Sequence, residues 1–238
     1  MRTHLKTKTI EFRLREDMDP TVFGFPRPGV TVVPKWYKDM PMYTNGDTKP
    51  NLHPGNASPK ACVPVLDSIT SGYYYITPYD IEVAIDPAHV KPRIDWNFPG
   101  TGFVSSRNED LGGMMPTPEG YHPGFFVWST PYQIITPKGY SVLVTHPLNN
   151  FDVPFITASG IMDSDGYGHS GALPFYLKKG FEGIIPAGTP YAQVIPIKRE
   201  SWKSHNSELP EDMRLSGYPR AFTRGWYRDN IWSKKSYK

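Results

Sequence analysis

Residues 131–200 read PYQIITPKGYSVLVTHPLNNFDVPFITASGIMDSDGYGHSGALPFYLKKGFEGIIPAGTPYAQVIPIKRE. Within them, from Tyr132 to Arg199, β-branched and aromatic runs alternate with turn residues. Gln133–Thr136 leads into Pro137-Lys138-Gly139, and Tyr140–Thr145 resumes a strand. Pro154–Thr157 stops at Ser159-Gly160, Gly183–Ile185 stops at Pro186-Ala187-Gly188, and Tyr191–Ile197 follows as a further strand. This punctuation by glycine and proline predicts an all-β meander or barrel. Gly139 and Gly188 close Pro-x-Gly and Pro-Ala-Gly turns, where a positive φ favours glycine.

Three motifs follow one another in this stretch: Pro137-Lys138-Gly139-Tyr140, then Gly160-Ile161-Met162-Asp163 through Tyr167-Gly168, then Gly188-Thr189-Pro190-Tyr191-Ala192-Gln193. In that order they resemble the dUTPases and dCTP deaminases. The resemblance implies a β-clip, jelly-roll-like core and a homotrimeric assembly. It implies a ligand-binding turn at Gly160, Asp163 and Tyr167, with Asp163 serving an attacking water and Tyr167 stacking on a sugar. The likeness stops at His146-Pro147-Leu148-Asn149, where those enzymes place an Arg-Ser-Ser phosphate-binding turn. Triphosphate hydrolysis needs such clamps, usually with Mg²⁺, so Mg²⁺ is expected only with an enzymatic reading. Asp163-Ser164-Asp165-Gly166 is also a good turn on local grounds alone. Catalysis at Asp163 is therefore not expected, although Asp163 is the candidate if there is any.

A second resemblance covers more of the chain. Pro34-Lys35-Trp36-Tyr37, Lys60-Ala61-Cys62-Val63-Pro64 and Gly72-Tyr73, together with the later Gly-Tyr and Ile-Pro-x-Gly-Thr-Pro runs, look like an uncharacterised tailed-phage protein family. It implies a virion setting and assembly in a host cytoplasm.

Composition bounds the rest. With 238 residues the chain is long enough to bury a sizeable core. A net charge of +3 gives no global field toward nucleic acid, which is not an expected partner. Cys62 is the single cysteine, which excludes an intramolecular disulfide and argues against a Cys-based zinc site. No apolar run approaches membrane-spanning length, and the N-terminus lacks a secretory pattern, so a soluble protein without a membrane partner is expected. Asp163-Ser164-Asp165-Gly166 also resembles the start of a calcium loop, without its later acids. His122, His146 and His169 lack metal-ligand spacing, and no metal is expected.

Along the chain, Ile10, Phe12 and Leu14 alternate with polar residues and predict a half-buried strand. From Phe25 to Pro64, eight prolines leave no room for a long helix. Trp36 and Tyr37 lie in this arm, and are expected to bury themselves on the chain's own core or on a neighbouring subunit. Tyr73–Thr77 and Asp80–Ile85 read as strands, and Gly124–Trp128 as another. Ser207–Asp212 is expected to open a helix. Seven basic residues and one acid follow between Arg214 and Lys238. There Tyr218, Phe222 and Trp226 interleave with Arg220, Arg224 and Arg228, as aromatic and arginine stripes of a helix. Such residues anchor protein interfaces and also stack on bases; the interface is the reading adopted.

The expected architecture is an arm (1–60), a β-clip-like core (61–199) and a basic aromatic tail (200–238). The expected function is a non-enzymatic virion component, a capsid decoration or head–tail accessory protein. Its partners would be copies of itself and other virion proteins. A nucleotide-binding or nucleotide-hydrolysing enzyme is the alternative.

Overall fold

A computed structural model of the chain describes residues 8–43, 57–86, 91–95, 102–106, 115–122, 126–167, 170–211 and 225–238, with only the backbone for 91–95. The all-β expectation is met. Among the described residues the strands form three antiparallel sheets. The first contains β1 (Glu11–Leu14), β6 (Val104–Ser106), β7 (Phe126–Ile135), β9 (Phe155–Thr157) and β11 (Ser170–Leu177). The second runs β10 (Gly160–Met162), β8 (Tyr140–Thr145), β13 (Pro190–Lys198), β3 (Tyr73–Ile76), β2 (Arg27–Pro28). The third joins β12 (Gly183–Ile185), β4 (Ile81–Asp86) and β5 (Lys91–Asp95).

The connectivity is not that of a meander. From β7 to β11 each successive strand changes sheet, so the turns read in the sequence are corners between layers. This alternation is the jelly-roll-like feature of the fold. The sheets stay open, and among the described residues no barrel closes.

β7 merges two runs that the sequence separates, and it passes straight through Pro131. Proline supplies no N–H to a ladder, so it is tolerated only where none is needed. Pro131 lies where β1 has ended, at Leu14 opposite Tyr132, and where the β11 register shifts between Ser170 and Ala172. In β13, a bulge between Pro190 and Ala192 turns both Tyr191 and Ala192 into the core.

The core is aromatic and is shared by all three sheets. Trp128 stacks on Phe175 at 3.8 Å, and Phe155, Phe103 and Tyr191 pack edge-on or tilted around them. Trp128 Nε1 donates to Thr157 Oγ1, which donates to Tyr191 O, so these three polar groups are satisfied inside the core.

Among the described residues, two α-helices lie in the N-terminal part: α1 (Lys35–Asp39) and α2 (Val63–Thr70). The proline-rich arm is packed on its own chain. Ser58 N donates to Met42 O, Lys60 Nζ to Lys38 O, and β1 and β2 belong to the two main sheets. The arm is therefore continuous with the core. A further short helix, α3, spans Trp226–Asn230. Residues 199–210 have no secondary structure and residues 199–211 are exposed throughout, so the helix expected to open at Ser207 begins only at Glu211, where this run of described residues ends.

Candidate functional site

Two sheet-crossing turns and the end of a strand meet at one point. They are the turn between β10 and β11 (Asp163–Gly166), the turn between β7 and β8 (Pro137–Gly139), and the end of β13 at Arg199. Gly139 N donates to Asp165 Oδ2 at 2.8 Å, and Arg199 N donates to Gly139 O at 2.9 Å. The Arg199 guanidinium grips both Asp165 oxygens, with Nη1 at 2.8 Å from Oδ1. Ser164 is buried, its hydroxyl 2.8 Å from Thr136 Oγ1. The Arg199 hydrogen bonds and the Gly139 amide hold the Asp165 carboxyl down to about 2.

Asp163, the candidate catalytic residue, belongs to this corner. Its Oδ1 accepts from Ser141 Oγ at 2.6 Å and lies 3.3 Å from Arg199 Nη1, with the side chain 69% exposed. A general base needs an open lone pair facing a nucleophile inside a closed site. Asp163 instead faces solvent beside a cation.

The segment His146–Asn150 stands where a phosphate-binding turn was sought, and its donors point into the protein. Leu148 N donates to Gln193 Oε1 at 2.9 Å, and Asn149 Nδ2 donates to Ser68 Oγ at 2.7 Å. His146 Nε2 donates to Asn150 O at 2.7 Å, and its Nδ1 accepts from Thr157 N at 3.3 Å. Burial pushes the His146 imidazolium down from its ordinary value.

Beside the corner lies a cavity of about 160 Å³, between β7 and β11 on one side and β8 and β10 on the other. Tyr75, Thr130, Ile134, Val144, Ile161 and Leu173 are among its walls. Of the expected ligand-binding residues, Gly160 lines it; Asp163 and Tyr167 do not.

The expected interface residues divide. Tyr37 is buried in its own chain, its ring against Trp36 and its hydroxyl donating to Lys60 O at 3.3 Å. Of the two placements expected for it, Tyr37 thus takes the one on its own chain; Trp36 is partly covered beside it. Tyr218, Arg220, Phe222 and Arg224 lie outside the described residues, as do Gly168 and His169. Trp226 opens α3, and Arg228 pairs with the adjacent Asp229. The tail is not a free assembly element at its far end. Trp232 Nε1 donates to Asp67 Oδ2 at 2.8 Å, Lys235 Nζ binds the same oxygen, and Tyr237 packs edge-on against Tyr73.

Sequence reasoning missed Arg199, Ser141, Gln193 and Tyr75. Arg199 and Gln193 are separated from their partners by long stretches of chain, and no periodicity encodes such pairings. The Ala-Gln motif was the available signal for Gln193.

No protein-family model matches the chain, and no curated protein sequence matches it. Among solved structures it is similar to a dUTPase from phage phi11 of S. aureus, described as coordinating a structural Mg(II) ion. The identity is 13% and the TM-score 0.27, over 45% of this chain and 98% of that one. It is also similar to the dUTPase of Staphylococcus bacteriophage 80alpha, solved with dUpNHpp. There the identity is 12% and the TM-score 0.25, over 47% and 99% of the two chains. Such scores are too low to assign any residue here by superposition. For a Mg²⁺ ion the donor set at the corner does not fit, because Arg199 already occupies the face shared by Asp163 and Asp165.

Proposed function

We propose that the chain is a non-enzymatic structural protein of a tailed-phage virion, a capsid decoration or head–tail accessory protein that assembles with copies of itself. The observation that supports this reading best is the commitment of Asp163 and Asp165 to Arg199. The turn that would place a general base instead ties itself to the β7–β8 corner and to the end of β13. Triphosphate hydrolysis also needs donors aimed at the phosphates. The Leu148 amide and the Asn149 side-chain amide are spent on Gln193 and Ser68. The virion setting rests on the motif resemblance to the tailed-phage family.

The test has two arms. Purified protein with dUTP or dCTP and Mg²⁺ is expected to release pyrophosphate only at the background rate. Saturable, Mg²⁺-dependent release that disappears in Asp163→Asn overturns the proposal. Mass spectrometry of purified phage particles is expected to find the chain in stoichiometric amount, and its absence removes the virion assignment.

A further inference from the structure

Residues 199–210 form the longest run without secondary structure among the described residues. Other exposed stretches are tied down: the turn 137–139 by Asp165, the segment 146–150 by Gln193 and Ser68. In residues 201–209, by contrast, no backbone or side-chain group has a hydrogen bond among the described residues. Trp202 and Leu209 stand in solvent with the rest, 87% and 55% exposed. Both sides of this run are held. Arg199 is fixed to Asp165 and to Gly139 O. The C-terminal segment 225–238 is seated on α2 and β3, where Trp232 and Lys235 bind Asp67 and Tyr237 packs on Tyr73.

An endoprotease closes around extended chain whose N–H and C=O groups are unpaired, so nicking concentrates at exposed, unbonded segments. Bonds inside strands and tied turns are reached only through local opening, and are cut as seldom as they open. We propose that residues 200–211 are a site of endoproteolytic processing, and that a cut there releases the C-terminal segment from α2. In that step water adds across one peptide bond. The C–N bond breaks, the carbonyl carbon gains an oxygen and becomes a carboxylate, and the freed nitrogen takes up a proton as an ammonium.

Release follows from how the segment is held. Its seat consists of the Asp67 carboxylate, the Tyr73 ring and the hydrogen bond from Tyr73 Oη to Lys238 O. While joined to Arg199, the segment faces that seat at an effective concentration of about a millimolar. Cut free in a solution of about 1 μM, it faces the seat about a thousandfold more dilute. Contacts this few and this close to solvent do not hold it there. The cut therefore bares Asp67 and the Tyr73 ring, which the intact chain keeps partly covered. The inference stands whether or not the chain belongs to a virion.

The distribution of glutamates supplies the test. Residues 212–238 contain none, whereas Glu200, Glu208 and Glu211 lie in the exposed run. Elsewhere, Glu82 is inside β4 and Glu182 accepts from Ile85 N. Brief treatment of the full chain with a glutamate-specific endoprotease is expected to cut first after Glu208 or Glu211, read by mass. At about 1 μM the small fragment is expected to separate from the rest in sedimentation. Hydrogen exchange across Val63–Thr70 is expected to rise at the same time, and a synthetic peptide of residues 225–238 at about 1 mM to slow it again. The double variant Glu208→Gln, Glu211→Gln changes only exposed side chains, and circular dichroism checks its fold. It is expected to survive the protease at least about tenfold longer. First cuts outside residues 200–211, or a double variant cut as fast as the parent, overturn the processing site. A small fragment that stays with the cut chain at about 1 μM overturns the release, as does a peptide without effect on Val63–Thr70.

Discussion

Asp165 shows how little a residue's type says about its task. Read locally it is one of two acids in a glycine turn; in the fold it holds the β7–β8 corner through Gly139 N and the end of β13 through Arg199. Glycines divide in the same way. Gly139 and Gly188 both have a φ of 85°, as their turns predict, and a Cβ at either would meet open space. Gly72 has a φ of 67°, and there a Cβ would stand 2.0 Å from Val194 O of β13. Gly188→Ala should therefore cost only the left-handed strain, about 1–2 kcal/mol. Gly72→Ala should cost clearly more, because a central strand must shift, and equal urea midpoints for the two variants would refute that close approach. His146 provides a pH dependence. Its imidazole is held neutral by burial, below the ordinary 6.5, while its Nδ1 accepts a backbone N–H. The unfolded chain therefore binds the extra proton first, and stability falls as pH drops below about 6.5, by at most ~1.4 kcal/mol per pH unit for one proton. His122 is lowered by burial as well and adds in the same direction. His146→Gln should flatten the melting-temperature profile between pH 7 and 5 without abolishing it, and an unchanged slope would refute the assignment.

At the level of elements, the joint between α2 and β13 governs how the layers stack. Gln193 is fully buried, and it donates to Ser68 O at 2.8 Å and Ser71 O at 2.7 Å while accepting from Leu148 N. Helix ends leave carbonyls unpaired, and here a strand side chain satisfies them. Gln193→Leu keeps the bulk and removes all three bonds, so a loss of roughly 2–4 kcal/mol in denaturant unfolding is expected. A loss below the error of the measurement would mean that water replaces the amide. Period-two alternation and turn residues made β1, β3, β4, β8 and β13 legible in the sequence. It hid α2, because Val63-Pro64 follows a run of prolines that reads as extended chain, although proline in a first helical turn is favourable. Pro131 likewise split β7 on paper, because the absence of ladder partners there is a tertiary fact. The corner was half legible: the glycine turn and Asp163 were visible, whereas Arg199 reaches it from another sheet. The cavity left no signal, since its walls come from five strands whose pairing no local pattern records.

Across the whole molecule, β1 and the C-terminal segment are drawn onto the same residue, Tyr73. Phe12 of β1 and Tyr237 both pack edge-on against Tyr73, and Tyr73 Oη donates to Lys238 O. Asp67 of α2 receives Trp232 Nε1 and Lys235 Nζ together, and Lys235 also lies over the Trp232 ring at 5.8 Å. A carboxylate bound by two donors and shielded by an indole is worth more than an exposed pair, because its partners are fixed and partly desolvated. Residues 225–238 therefore act as a clasp on α2, whereas residues 199–211 remain exposed. The two parts of the tail should separate in experiment. Ending the chain before Gly225 should raise hydrogen exchange across Val63–Thr70 and lower the melting temperature by a few degrees, as roughly 1 kcal/mol does in a chain of this size. Exchange in β7, β8 and β13 should stay near that of the full chain, because their ladders and the aromatic core lie elsewhere. Asp67→Asn should reproduce a smaller part of the effect in α2 alone. If the shortened chain exchanges uniformly faster in every strand, the terminal segment is part of the cooperative core and the clasp is wrong.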